Sequence, residues 1–326
     1  MFLLPMLVLL AATPQAAQGY QTDTTISVTQ GTRLKLENQG GDINIRAWEK
    51  NQVRIQASHS RRTHVRVRSS GAVLSLEAEA ERGPANMVDY DLTVPAWMPL
   101  ELGGMYASVT VEGSKAPIAV QTLEGDIDVK GGAESVKLGT VSGRLVVAGA
   151  RGRIELHTVS EDIVASDLQG DVHVEGISGD IFLRGVDAKS ADVSTVSGDI
   201  YYDGRILDGG NYSLVTHSGD IAMSVAEGTN ATVATAVSSG EVGASFSLPA
   251  SDRPGRHRQS FRLGNGSASV ELETFSGDIQ LSRPAELGTR LERKLRELRE
   301  REEEARRKHK EKQDQDHDRD DDHPGR

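Results

Sequence analysis

The stretch Ser178-Gly179-Asp180-Ile181-Phe182-Leu183 decides the fold, because its first four residues return as Ser197-Gly198-Asp199-Ile200, Ser218-Gly219-Asp220-Ile221 and Ser276-Gly277-Asp278-Ile279. Degenerate copies stand at Glu124-Gly125-Asp126-Ile127, Ser142-Gly143-Arg144-Leu145, Ser160-Glu161-Asp162-Ile163 and Ser239-Gly240-Glu241-Val242. The second position of the phrase falls at 125, 143, 161, 179, 198, 219, 240 and 277, at first in steps of 18 residues. A fixed period of this size marks stacked supersecondary units, none able to bury its apolar face alone.

Within one period, apolar residues follow the phrase at every second position, as in Ile127 and Val129, Leu145 and Val147, or Ile181 and Leu183. Half a period away a second alternating stretch appears, with Val136 and Leu138, Ile154 and Leu156, Val172 and Val174. Period-2 alternation is the mark of a strand with one buried face. Each rung therefore carries two short strands, and burying about four aliphatics per rung, at roughly 1.5 to 3 kcal/mol each, offsets the ordering of the backbone. The glycine meets a turn that needs positive φ, and the Ser and Asp side chains suit turn amides. The expected fold is all-β: a parallel β-solenoid with rungs of about 18 residues and two strands, stacked in sequence order. A charged C-terminal α-helix and a disordered tail follow it.

Composition restricts the chemistry. There is no cysteine, so disulfides, thiolate metal sites and a lipid-bearing cysteine are excluded. The apolar run Phe2 to Leu10, then small residues before Tyr20, reads as a signal peptide over residues 1–19. No later segment is long and apolar enough to span a bilayer, so the expected protein is exported and not membrane-spanning once the leader is removed.

Residues 20–104 are β-rich but less regular, continuous with the solenoid repeats of 105–282. Here Leu36-Glu37-Asn38-Gln39-Gly40-Gly41-Asp42-Ile43-Asn44-Ile45, followed by Trp48 and Val53-Arg54-Ile55, resembles the opening of the bacterial putative-adhesin family of β-strand-repeat proteins. Val88-Asp89-Tyr90-Asp91-Leu92-Thr93-Val94-Pro95 is similar to a mid-domain strand of that family, and Leu263-Gly264-Asn265-Gly266 through Ile279 to its closing signature. The resemblance covers residues 24–282. It implies an exported solenoid without established chemistry, and it transfers no catalytic residue.

After Pro284 the composition changes. Leu287, Leu291, Leu295 and Leu298 form one helical stripe, and Glu292 to Arg296 and Glu297 to Arg301 are favourable i,i+4 pairs. A helix is expected over 286–312, and the Asp- and His-rich tail 313–326 has no apolar residue to bury. From Arg290 onward there are 13 basic and 13 acidic residues, so the net charge of -11 belongs to the β domain. An acidic body disfavours nucleic acid as a partner. Arg54, Arg61, Arg62, Arg66 and Arg68 form a local exception, a candidate patch for anionic glycans or headgroups.

Three further constellations invite chemistry. Asp162, Asp180, Asp199 and Asp220, with Glu241, would stand roughly 5 Å apart on successive rungs. Their repulsion, roughly 1 kcal/mol per pair in water-like surroundings and about 3 at an effective dielectric near 20, is tolerable without an ion. The phrase also lacks the Gly-Gly-x-Gly-x-Asp calcium loop. In-register pairing would set Glu155 beside His173 and His157 beside Glu175; these are competent zinc ligands, but alternating histidine and acid also simply separates like charges. Neither column is expected to bind metal, and no cofactor is expected.

The third constellation is apolar. Val146, Val164, Phe182, Tyr201 and Ala222 occupy outward positions on five consecutive rungs. The leucine-striped helix matches this stripe in length, but only Ser282 to Glu286 is available for a sharp reversal. The helix is therefore expected to cap or project, leaving the stripe as a partner or self-association surface.

No nucleophile, base and oxyanion constellation can be assembled. The expected function is a noncatalytic envelope or cell-surface binding scaffold of the adhesion type, with an unidentified protein or glycan ligand. A structural or signalling partner in an envelope-stress system is the alternative. A polysaccharide-acting solenoid enzyme is the less favoured one, since aromatic sugar platforms are scarce.

Overall fold

The alternation after each phrase becomes two stacks of parallel strands. One stack, face A, holds Ile127–Gly131, Leu145–Ala148 and Ile163–Ser166; the other, face B, holds Ile118–Glu124, Ser135–Thr140, Arg151–Thr158 and Gln169–Glu175. In face A Leu145 pairs with Ile127 and Ile163, and in face B Val136 pairs with Ile118 and Ile154, all parallel and in register. The longer strands Ile181–Ser197 and Ile200–Ser218 run through both faces around the corner. The molecule is seen here as a computed structural model that describes residues 22–81, 83, 87–250 and 257–321. The expected leader, 1–19, and residues 322–326 of the tail lie outside these.

The inward ladders are those the alternation predicts. Ile127, Leu145, Ile163, Ile181, Ile200 and Ile221 from face A meet Val136, Ile154, Val193 and Leu214 from face B in one core, all fully buried. The fold is a parallel β-solenoid.

The repeated phrase acquires a bonding role at each position. The N–H of Gly179 donates to the carbonyl of Ser197 (3.0 Å), that of Gly198 to Ser218 (2.9 Å) and that of Gly219 to Ser276 (2.9 Å). The glycine stays because a Cβ at Gly198, where φ is +150°, would fall on the Gly179 carbonyl oxygen of the neighbouring rung. The Asp accepts an amide from the next rung through Oδ1: Asp180 N–H to Asp162 (2.6 Å), Asp199 to Asp180 (2.8 Å), Asp220 to Asp199 (2.9 Å) and Asp278 to Asp220 (2.8 Å). The Ile then turns inward.

A buried threonine column accompanies the turn. Thr122 donates to Thr140 (3.1 Å), while Thr216 and Thr274 donate to the carbonyls of Gly198 (3.1 Å) and Gly219 (3.0 Å). Between Thr158 and Thr195 the column residue is Gly176, and those two hydroxyls have no hydrogen-bond partner.

The stacking departs from sequence order at both ends. Ala268–Ser276 pairs with Ile200–Ser218 on one side and Ala231–Ser239 on the other, and Ile279–Ser282 lies between Ile221–Ser224 and Val242–Ala244. The last rung in sequence is therefore inserted beneath the one before it, and Glu241 follows Asp278, whose Oδ1 takes its N–H (2.9 Å), instead of Asp220. At the other end Arg33–Trp48 lies between Leu100–Ser114 and the pair Val73–Ala80 and Asp89–Pro95. Antiparallel strands close these ends: Thr22–Ser27 on Gln52–Ser58, Thr63–Ser70 on Val73–Ala80, and Arg258–Leu263 on Ala231–Ser239. Arg258–Leu263 covers the outer edge of Ala231–Ser239, which limits edge-to-edge aggregation on face B.

Helix α1 spans Pro284–Asp321. It runs nine residues past the sequence-based end at 312, so the segment expected to be disordered is helical through Asp321.

Candidate functional site: a groove at the corner of the solenoid

The outward stripe is not free. Phe182, Tyr201 and Ala222 are each 1% exposed because α1 folds back over them, and they form a second small core with Leu287, Leu291 and Leu298, joined by Val164 and Leu295. Phe182 and Tyr201 stack at 5.1 Å, Arg290 lies over the Tyr201 ring at 5.5 Å, and Tyr201 Oη donates to Asp199 Oδ2 (3.0 Å). Burial, reinforced by the Asp199 charge, pushes the Tyr201 hydroxyl pKa up. This corrects the expectation of a partner surface over Val146, Val164, Phe182, Tyr201 and Ala222.

Arg283 makes the reversal that seemed too short. Its N–H donates to Ser245 Oγ (3.2 Å), its Nη1 to the Val225 carbonyl (3.0 Å), and its guanidinium covers the Phe246 ring at 4.1 Å. Pro284 then starts the helix at once, a position that needs no amide donor.

Each candidate metal column is otherwise engaged. Every Oδ1 of Asp162, Asp180, Asp199 and Asp220 holds a backbone amide. Burial and the neighbouring Asp199 and Asp162 charges raise the Asp180 pKa, though the Asp199 amide works against this. On face B the register is as expected, with Glu155 opposite His173 and His157 opposite Glu175. His157 Nδ1 reaches Glu175 Oε2 (3.1 Å), but Glu155 pairs with Lys137 (2.8 Å), leaving His173 between Glu175 (3.0 Å) and Asp192 (3.3 Å). Among the described residues no three His, Asp or Glu side chains are arranged to hold a metal ion.

The arginine patch is largely neutralised. Arg54 makes two bonds to Asp23 (3.2 and 2.9 Å), Arg66 pairs with Glu79, and Arg68 reaches Glu77 (3.3 Å) and Glu79 (3.6 Å). Arg61 and Arg62 stand in the tight turn between Gln52–Ser58 and Thr63–Ser70. The five do not converge on one anion site.

Two features lay outside the sequence-based candidates. The residue just before the phrase is exposed at one corner of the solenoid on most rungs, as Leu123 (49%), Val141 (42%), Ile177 (49%), Val196 (49%) and Phe275 (55%), with Met105 (40%) in register with Leu123 and Val159 half-buried between Val141 and Ile177. Its signal was present in the sequence, one position upstream of the repeat. At the N-terminal end of this corner a groove of about 830 Å³ opens over face B. Met105, Leu123 and Val141 supply an apolar wall, Glu37, Glu77, Glu79 and Glu101 line it with carboxylates, and Gly103, Ala119 and Gly139 are among its small residues. Lys137 also lines the groove, paired with Glu155 (2.8 Å), while Lys35, Arg66 and Arg68 meet those carboxylates without lining it. Nothing lies within 4 Å of a Cβ built at Gly139. A glycine inside a strand weakens it and often marks a place where another group approaches. The groove suits a ligand with both apolar and cationic parts.

The fold and this site define a repeat protein that presents long, rigid side-chain ladders. Residues 31–282 match the Toastrack DUF4097 family, and the chain belongs to it. Similar solved structures include a putative adhesin from Parabacteroides distasonis ATCC 8503 (13% identity, 81% of this chain and 97% of that one, TM-score 0.42) and a putative adhesin from Bacteroides fragilis NCTC 9343 (14%, 80% and 96%, TM-score 0.32). A third is a putative cell adhesion protein from Clostridium sporogenes ATCC 15579 (11%, 80% and 100%, TM-score 0.21). No curated protein matches the chain.

Proposed function

We propose that this protein is an exported, noncatalytic binding scaffold of the cell envelope or cell surface, holding its ligand in the corner groove. The observation that carries this reading is the groove itself. Its volume of about 830 Å³ falls in the range of ligand sites, which combine apolar lining with a few polar groups. Its walls are ladder positions of a stiff solenoid, so little ordering is needed on binding. The apolar wall and opposed carboxylates favour a segment carrying apolar and basic side chains, such as an extended stretch of an envelope protein. Export rests on the apolar leader at 1–19, and cleavage before Tyr20 is part of the proposal.

The test is binding of the labelled protein to intact cells and to washed envelopes, beside a Gly139→Phe variant. Filling the open space above Gly139 leaves the core untouched, so binding should fall at least tenfold with an unchanged melting temperature. Equal binding by the two proteins would remove the groove from the function.

A further inference from the structure

We infer that the exposed corner column is a dimer interface, and that its occupant is a second copy of this chain. Met105, Leu123 and Val141 at one end of the column are also the apolar wall of the groove, so a second copy and the groove ligand exclude one another there. The column is continuous. Ser142 N–H bonds the Leu123 carbonyl (2.8 Å), Ser160 that of Val141 (3.1 Å), Ser178 that of Val159 (2.8 Å) and Ser197 that of Ile177 (2.8 Å), so each column residue is fixed directly over the last. His217 follows Val196 in register and stacks on Phe275, ring centroids 4.9 Å apart. From Met105 to Phe275 the row runs about 34 Å at the usual strand spacing.

Side chains of this size, about half exposed, amount to roughly 600 Å² of mainly apolar surface, at or above the largest patch of an ordinary monomer. Two such columns face to face bury roughly 1,200 Å², enough for a specific interface. Pitch selects the occupant. A row of knobs about 4.8 Å apart interlocks along its whole length only with a row of equal pitch, and the same column on a second molecule is such a row.

The flanking charges choose the alignment. On one side of the column runs the turn series Asp162, Asp180, Asp199, Asp220 and Asp278; on the other lies the face B row Gln121, His157, Glu175, Ser194 and Glu273, which carries fewer carboxylates. A two-fold axis parallel to the solenoid axis sets each turn series against the partner's face B, whereas an antiparallel arrangement opposes carboxylates with carboxylates, which costs energy. In the parallel dimer each column residue meets its own equivalent. The same carboxylates repel an anionic lipid surface.

The absence of cysteine from the chain makes the test clean. Light scattering of the purified protein at tens of micromolar should give the dimer mass. Ile177→Asp combined with Val196→Asp, both at exposed positions, should weaken association at least tenfold while circular dichroism and melting temperature stay unchanged. Ile177→Cys and Phe275→Cys, made singly, should each oxidise to a covalent dimer. A monomeric wild-type mass, or a dimer indifferent to the two aspartates, overturns the interface. A link at Ile177 without one at Phe275 overturns the parallel alignment.

Discussion

The backbone N–H of Asp199 donates to Oδ1 of Asp180 across 2.8 Å, and the same bond joins the neighbouring rungs on either side. The carboxylate is thus an acceptor for the stack, and its charge is incidental to that task. Asp180→Asn keeps the acceptor, so its stability at pH 7 should stay within about 0.5 kcal/mol of wild type or rise. Asp180→Ala orphans the amide and should cost about 1 to 2 kcal/mol. Because burial and its acidic neighbours raise the Asp180 pKa, the folded state holds this proton more tightly than the unfolded chain. Its contribution to stability is therefore fully present below the ordinary carboxyl pKa of about 3.9 and is lost as pH rises through the raised folded value. The advantage of Asp180→Asn over wild type should grow between pH 4 and 7 in urea titrations. An Asn variant as damaged as the Ala variant would show that the charge itself matters.

Glycines at two kinds of position should respond in opposite ways. At Gly198 a Cβ would collide with the Gly179 carbonyl at positive φ, so Gly198→Ala should destabilise by roughly 2 kcal/mol or more, since neither the φ nor the rigid backbone opposite can give way. At Gly139 no atom lies within 4 Å of the added Cβ. Gly139→Ala should be neutral or stabilise by up to about 1 kcal/mol through the unfolded chain. Thermal melts of the two single variants check both, and similar losses would contradict the assignment of Gly139 to an open groove floor.

Much of this architecture was legible because a stacked rung repeats its own constraints. Ile181, Ile200 and Ile221 could be placed inward from alternation alone, and the glycine of the phrase could be placed in a turn. The inserted rung could not be read: Ile279 follows Val242 in sequence, and nothing local to either strand says that one will pair with Ile221 and the other will not. The covered stripe was legible in both halves, Phe182 and Tyr201 on one side and Leu291 on the other. What hid their meeting was Arg283, whose three contacts to Ser245, Val225 and Phe246 exist only once the last rungs are stacked. The groove could not be read because residues far apart in sequence line it together only once the rungs stack, as Glu37 and Leu123 do.

The threonine column yields a stabilising change. Thr158 and Thr195 lack partners where Gly176 interrupts the series, and a Cβ there would stand 3.1 Å from Thr195 Oγ1, a distance the hydroxyl can relieve by a small rotation. Gly176→Ser supplies a hydroxyl to that gap and removes glycine's freedom from the unfolded chain. Stability should rise by about 1 kcal/mol. Gly176→Ala, which adds the Cβ without the oxygen, should gain less. A serine variant no better than the alanine variant in denaturant titration would mean that the hydroxyl finds no partner.

The helix contact is the most exposed to direct challenge. Leu291 is fully buried against Phe182 and Tyr201, yet α1 is joined to the solenoid only through the Arg283 turn. Leu291→Ala removes buried methyls from a small cluster and should cost about 2 to 3 kcal/mol of docking free energy. The solenoid core of aliphatic ladders does not include this cluster, so local undocking should precede global unfolding. Deleting residues 284–326 should leave the strand content unchanged by circular dichroism while uncovering Phe182, Tyr201 and Ala222, with a marked rise in binding of a hydrophobic dye. Adding Phe182→Ser and Tyr201→Ser to the truncated chain should reverse that rise. If truncation instead abolished the β signal, α1 would be a required part of the solenoid fold and the two cores would be one cooperative unit.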